Sequence, residues 1–139
     1  MNLLVDTSIW SLALRRRRED LGREEAGAVN ELLAAIEKDQ ACLLGVVRQE
    51  LLTGIKARQQ FENLREYISA FPDVEVTTED YVEAARLGNS CRAKGVATHV
   101  VDMLLCSVAL REGWEIFTND PDFERYAKIL GVRLRELNR

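Results

Sequence analysis

The tripeptide Leu3-Leu4-Val5, closed by Asp6 and the hydroxyls of Thr7 and Ser8, constrains the fold more than any other stretch of the chain. Its apolar residues do not alternate with polar ones, so the run reads as a strand covered on both faces, as in a parallel sheet held between helices. Thr7 and Ser8 suit a helix start, making the junction strand to helix. A carboxylate at the C-terminal end of such a strand lies where open α/β sheets bind ligands. Asp, Thr and Ser at this kind of junction are also ordinary N-cap residues, and Asp6 taken alone favours the cap.

The remaining pattern alternates helices with short apolar strands. Ser8 to Arg18 reads as a helix that turns fully basic at Arg15, Arg16, Arg17 and Arg18. Cations in a last turn complement the helix dipole; the functional reading is a patch that tracks phosphates. From Gly22 to Lys38 the residues Ala26, Val29, Leu32, Leu33 and Ile36 recur at helical spacing, and Ala41 to Leu44 forms a second strand. A helix from Gly45 or Val46 stops at Gly54, and another spans Ala57 to Ala70. Val74 to Val76 is a strand, and Thr77 or Thr78 caps a helix that runs toward Gly95 with Gly88-Asn89-Ser90 as a weak spot. Val100 to Leu110 is apolar almost all round and predicts a central helix. Trp114 to Phe117, a helix over Phe123 to Leu130 and a strand at Val132 to Leu134 complete an α/β chain, expected to form one domain over residues 1–139.

Composition narrows the function classes. Apolar residues make up 47% and charged residues 30% of the 139, while a net charge of -4 argues against a generally basic nucleic-acid coat. Nucleic-acid binding would therefore need a local patch. Cys42, Cys91 and Cys106 are odd in number and lack metal-type pairing, as small core residues of a reducing compartment would. The first apolar stretch is cut at Asp6, without a basic segment before it, and no apolar run approaches the roughly 18 residues of a membrane span. The expectation is a cytoplasmic protein with no membrane association.

Three further acids raise the standing of Asp6. Glu50 follows Val46 and Val47 at helical spacing, which predicts a carboxylate on the apolar face. Asp102 is the first charge in the apolar helix before Arg111, and an unpartnered buried carboxylate costs several kcal/mol. The dipole at a helix start returns only about 0.3–1 kcal/mol, so a cation partner is expected. Asp120 repeats the position of Asp6 just past a short apolar strand, although Asp120-Pro121 with Asp122 behind it also makes an ordinary helix start. Converging carboxylates are tolerable at neutral pH when protons or cations compensate them. All-oxygen ligands favour Mg²⁺ or Mn²⁺ over zinc, ions that can activate water and stabilise the leaving oxygen of a phosphodiester. Thr7, Ser8 and Thr118 could hold carboxylates or waters in place, or simply cap helices. His99, three residues before Asp102, could act as a general acid but reads as structural or solvent-facing.

Val5-Asp6-Thr7-Ser8, Glu50-Leu51-Leu52-Thr53-Gly54, Asp102 leading an apolar helix, and Thr118-Asn119-Asp120-Pro121-Asp122-Phe123 occur in an order and spacing that resemble PIN-domain ribonucleases, in particular VapC-type toxins of toxin–antitoxin systems. The resemblance spans essentially the whole chain. It implies a three-layer α/β fold with a five-stranded, mostly parallel sheet flanked by helices, and an acidic pocket of Asp6, Glu50, Asp102 and Asp120. One or two Mg²⁺ or Mn²⁺ ions would sit there, bound most directly by Asp6 and Asp102, and Asp122 resembles an additional family acid of variable role. The implied activity is RNA cleavage, with a VapB-type antitoxin as partner and homodimers commonly formed. Two alternatives stand beside it: a phosphohydrolase using Asp6 as nucleophile, and a PIN-like module that binds RNA or protein without cutting.

Overall fold

The computed structural model describes residues 1–137. One parallel sheet contains β1 (Leu3–Val5), β2 (Ala41–Leu44), β3 (Asp73–Val74) and β4 (Glu115–Phe117) in the order β3-β2-β1-β4. Around it lie α1 (Thr7–Leu14), α2 (Arg23–Glu37), α3 (Gly45–Leu52), α4 (Arg58–Ile68), α5 (Thr78–Ala93), α6 (Val100–Glu112) and α7 (Asp122–Leu130). The interior place of β1 accounts for its unbroken apolar run. Leu3 and Leu4 pair with Ala41 and Cys42 on one side, while Leu3, Leu4 and Val5 pair with Glu115, Ile116 and Phe117 on the other. Leu3, Leu4 and Val5 are all buried.

The strand order creates a crevice at one end of the sheet. From β1 the chain steps outward to β2 and β3, then returns to lay β4 on the opposite side of β1. Connections leaving β1 and β4 therefore diverge, opening a gap beyond their C-terminal ends, the place where open parallel sheets bind ligands. Asp6 lies at this gap, its backbone N–H still donating to Phe117 O at 2.9 Å.

The sheet has four strands rather than the five expected. Val132 to Leu134 supplies a single parallel bridge, Leu134 to Ile116, made by Ile116 N–H to Arg133 O and Arg135 N–H to Ile116 O, each 2.8 Å. Gly131, at φ 76°, ends α7 and turns the chain toward this edge. Exposed Arg133, Arg135 and Glu136 keep the edge short and in water. The arginine run also differs from expectation. Helix α1 stops at Leu14, and Arg15 to Arg18 form the turn into a 3-10 segment, Arg18–Asp20, instead of a basic last turn. Continuing the helix would set Arg15 and Arg18, three residues apart, side by side as like charges; in the turn, Arg16 reaches Glu25 at 2.6 Å and Arg18 reaches Asn30 at 2.5 Å. On α2 the inner face is Ala28, Val29, Leu32 and Ala35, and Leu33 is exposed.

Helix α6 is central, as its composition predicts: Met103 through Ala109 are seven consecutive buried residues. Helix α5 packs along it, and Gly88 lies on the packed face with room for no more than ordinary contact. A Cβ there would meet Thr98 Oγ1 at 3.5 Å and Met103 Cγ at 3.6 Å, and α5 runs through without a break. Asp80 fastens the two helices. It is 3% exposed, completes a capping box with Thr77, and receives Arg111 Nε at 2.7 Å and Nη2 at 2.9 Å. Cys91 and Cys106 are unpaired thiols in this core, and burial raises both above the usual thiol range. Among the described residues, no helix is long and apolar enough to cross a membrane.

Candidate active site

Asp6 is 6% exposed at the end of β1. Its Oδ2 accepts hydrogen bonds from Ser8 Oγ and Thr118 Oγ1, both at 2.8 Å. The two hydroxyls come from opposite lips of the crevice: Ser8 opens α1, and Thr118 follows β4. Thr118 Oγ1 also accepts the Asp120 N–H at 3.0 Å, linking the ends of β1 and β4 through one hydroxyl. The cap reading of Asp6 is not what the geometry shows, because its side chain makes no cap bond to α1. Asp120 does serve the local backbone, its Oδ1 accepting the Asp122 N–H at 2.9 Å where α7 begins.

Glu50 departs from expectation. It is exposed, not turned to the apolar side of α3, and accepts the Thr7 hydroxyl at 2.7 Å. Helix α3 is short, with Val47 and Leu51 as its buried residues, so Glu50 falls at the border of its covered face. The Thr7 bond draws it to the mouth of the crevice beside Asp6.

Asp102 is half-buried in the first turn of α6, and its Oδ2 accepts the Tyr126 hydroxyl at 3.1 Å. Burial, together with the nearby charges of Asp6 and Asp120, pushes its carboxyl up to about 6, against smaller opposing effects of the Tyr126 hydrogen bond and His99. The cation partner expected for Asp102 is not found among the described residues. Among the described residues no lysine or arginine pairs with Asp6, Glu50, Asp102 or Asp120, whereas Asp80 has Arg111 and Asp122 has Arg125. Asp122, expected as an additional acid of variable role, stands close to Asp102: it, Asp102 and His99 each offer a ligand atom within 4.8 Å of the others.

Sequence reasoning passed over Tyr126, which is fully buried and edge-stacked on Phe123. Its raised hydroxyl, from burial and from the charges of Asp102, Asp122 and Asp120, marks how near it stands to the acids. The available signal was spacing, since Tyr126 lies one helical turn after Asp122 on the amphipathic α7. Arg15 to Arg18 lie at the other end of α1 from Asp6 and take no part in the acid cluster.

The parallel sheet thus ends with Asp6 and Asp120 near enough to Asp102 to raise its carboxyl, and with Glu50 bonded to Thr7 beside Asp6. Residues 3–129 match the PIN domain family, and the chain belongs to it. Over 133 residues it is 26% identical to VapC ribonuclease Mb1587 of Mycobacterium bovis, a match covering 94% of this chain and 96% of the relative. Ribonuclease VapC11 of Mycobacterium tuberculosis matches with the same identity and coverage. In fold the chain is similar to a chain of VapBC2 from Rickettsia felis bound to a promoter DNA fragment, with TM-score 0.77 and 18% identity over 99% of this chain and 100% of that one. DNA-bound VapBC from Salmonella typhimurium gives TM-score 0.72 and 16% identity over 97% of each chain.

Proposed function

We propose that this chain is a Mg²⁺- or Mn²⁺-dependent endoribonuclease, the cytoplasmic toxin of a VapBC-type toxin–antitoxin pair, which hydrolyses RNA phosphodiester bonds at the β1–β4 crevice. One observation carries the reading: Asp6 and Asp120 lie close enough to Asp102 to raise its carboxyl, Glu50 is tied to Thr7 beside them, and no lysine or arginine among the described residues pairs with any of the four. Such a cluster stores repulsion that a divalent ion relieves. The oxygen-rich donor set fits a hard ion, with Asp6 and Asp102 as the most direct ligands and Glu50 and Asp120 joining directly or through water. A bound ion would supply charge against the scissile phosphate and lower the pKa of the attacking water.

The chain's own groups orient the carboxylates. Ser8 and Thr118 hold Asp6 through one oxygen, Thr7 holds Glu50, and Tyr126 holds Asp102. The VapC ribonucleases similar over most of the chain support the nuclease reading, and the VapBC assemblies of like fold support a small VapB-type partner. Self-association into a homodimer belongs to the same proposal. Asp102→Asn tests it: the variant should lose Mg²⁺-dependent RNA cleavage by at least about a hundredfold while keeping the parent's circular dichroism. Cleavage at the parental rate would refute the assignment.

A further inference from the structure

Resting on that reading of the crevice as a metal pocket, we propose that His99 is a ligand of the divalent ion, held jointly with Asp102 and Asp122, and that this imidazole biases the site toward Mn²⁺ over Mg²⁺. The three residues come from two helix starts. His99 immediately precedes α6, Asp102 lies in its first turn, and Asp122 opens α7. One ligand atom from each lies within 4.8 Å of the other two. Ligand atoms about 2.1 Å from a shared ion stand up to about 4.2 Å apart, so small side-chain rotations close the set.

Each member has capacity to spare. His99 is exposed, makes no side-chain cap bond to α6 and enters no side-chain hydrogen bond among the described residues. Tyr126 occupies Oδ2 of Asp102 and Arg125 pairs with Oδ1 of Asp122, so each carboxylate retains its other oxygen. The positive ends of α6 and α7 both oppose a cation, which makes two carboxylates the minimum that would hold one there. Carboxylates by themselves suit Mg²⁺ and Mn²⁺ alike. A neutral imidazole, by contrast, is a common ligand of first-row transition ions and a poor one for Mg²⁺, which prefers an oxygen octahedron.

The composition makes the test clean, because the chain has a single histidine. Tag-free protein is loaded with Mn²⁺ and studied by pulsed electron paramagnetic resonance, with natural-abundance and with ¹⁵N-histidine protein. The expected result is a nitrogen coupling that changes isotope with the label and vanishes in His99→Gln. That variant should also bind Mn²⁺ about tenfold more weakly and Mg²⁺ less than about threefold more weakly. Exposure of His99 predicts that it melts with the parent, and the labelled parent decides the matter without any variant. Saturable Mn²⁺ binding with no histidine nitrogen coupling overturns the role of His99 and leaves the metal pocket standing. Absence of saturable Mn²⁺ binding removes both.

Discussion

Asp102 experiences two opposed demands, and its energetics follow from them. The proposed metal site requires a charged carboxylate there, while burial beside Asp6 and Asp120 disfavours that charge and pushes the group up to about 6. Its value unfolded is near 3.9. Between about pH 4 and pH 6 the metal-free native state therefore binds more protons at this position than the unfolded chain, so its contribution to stability falls as pH rises and the full penalty remains above about 6. Asp102→Asn should thus stabilise the metal-free protein at pH 7 by about 1–2 kcal/mol while abolishing cleavage, measured by urea unfolding with chelator present. A variant less stable than the parent would contradict the repulsion argument. Tyr126 acts on the same carboxylate from the core side. Removing its hydroxyl in Tyr126→Phe should weaken Mn²⁺ binding by about tenfold, read by titration calorimetry, because the carboxylate loses the donor that orients it. Unchanged affinity would reduce Tyr126 to packing.

At the scale of elements, the α5–α6 pair determines whether Asp102 is presented at all. Asp80 ties the two helices through Arg111 and accepts the Thr77 N–H at 2.9 Å, contacts that hold its carboxyl below the usual range, with the Arg111 hydrogen bond the largest cause. A depressed native value means stability present above the unfolded pKa and lost as pH falls through the native one, so this junction should loosen in acid below about pH 4. Arg111→Ala leaves a buried carboxylate unpaired. Because Arg111 itself is partly exposed, the cost should be about 2–3 kcal/mol, visible as a lowered thermal midpoint. A midpoint within error of the parent would mean that solvent replaces the guanidinium. Elsewhere Arg48 has a comparable task, donating to Asp73, Ile68 O and Phe71 O, and so fixing the edge strand β3 to the end of α4.

Across the whole molecule, a net charge of -4 sets a problem for any nuclease, since substrate phosphates meet an acidic surface. The arginine turn is the concentrated exception. Arg16, Arg17 and Arg18 are partly committed to Glu25, Glu19 and Asn30, whereas Arg15 lines a groove of about 730 Å³ with Lys56 on the facing α3–α4 loop. Neutralising Arg15 to Arg18 should weaken RNA binding and flatten its salt dependence by about 0.7 in logarithmic slope for each phosphate that the turn neutralises in the parent. An unchanged slope in filter-binding assays would retire the turn as an RNA-binding element.

What could be read from the chain alone was whatever short-range pattern dictates. The unbroken Leu3-Leu4-Val5 run announced a parallel sheet, the all-apolar α6 announced a central helix, and the acids stood out as costly or repeated at equivalent strand ends. Local pattern misjudged Glu50, the extent of α1 and the fifth strand, because a residue at the edge of a helical face or a sheet is decided by its neighbours in space. Tertiary structure alone settled that Asp80 receives an internal cation, Arg111, and that Asp6, Glu50, Asp102 and Asp120 receive no lysine or arginine among the described residues. It alone brought His99, Asp102 and Asp122 together. The physical reason is range: helix and strand signals act over a few residues, whereas charge and ligand geometry act through space between segments that the return of β4 beside β1 makes neighbours.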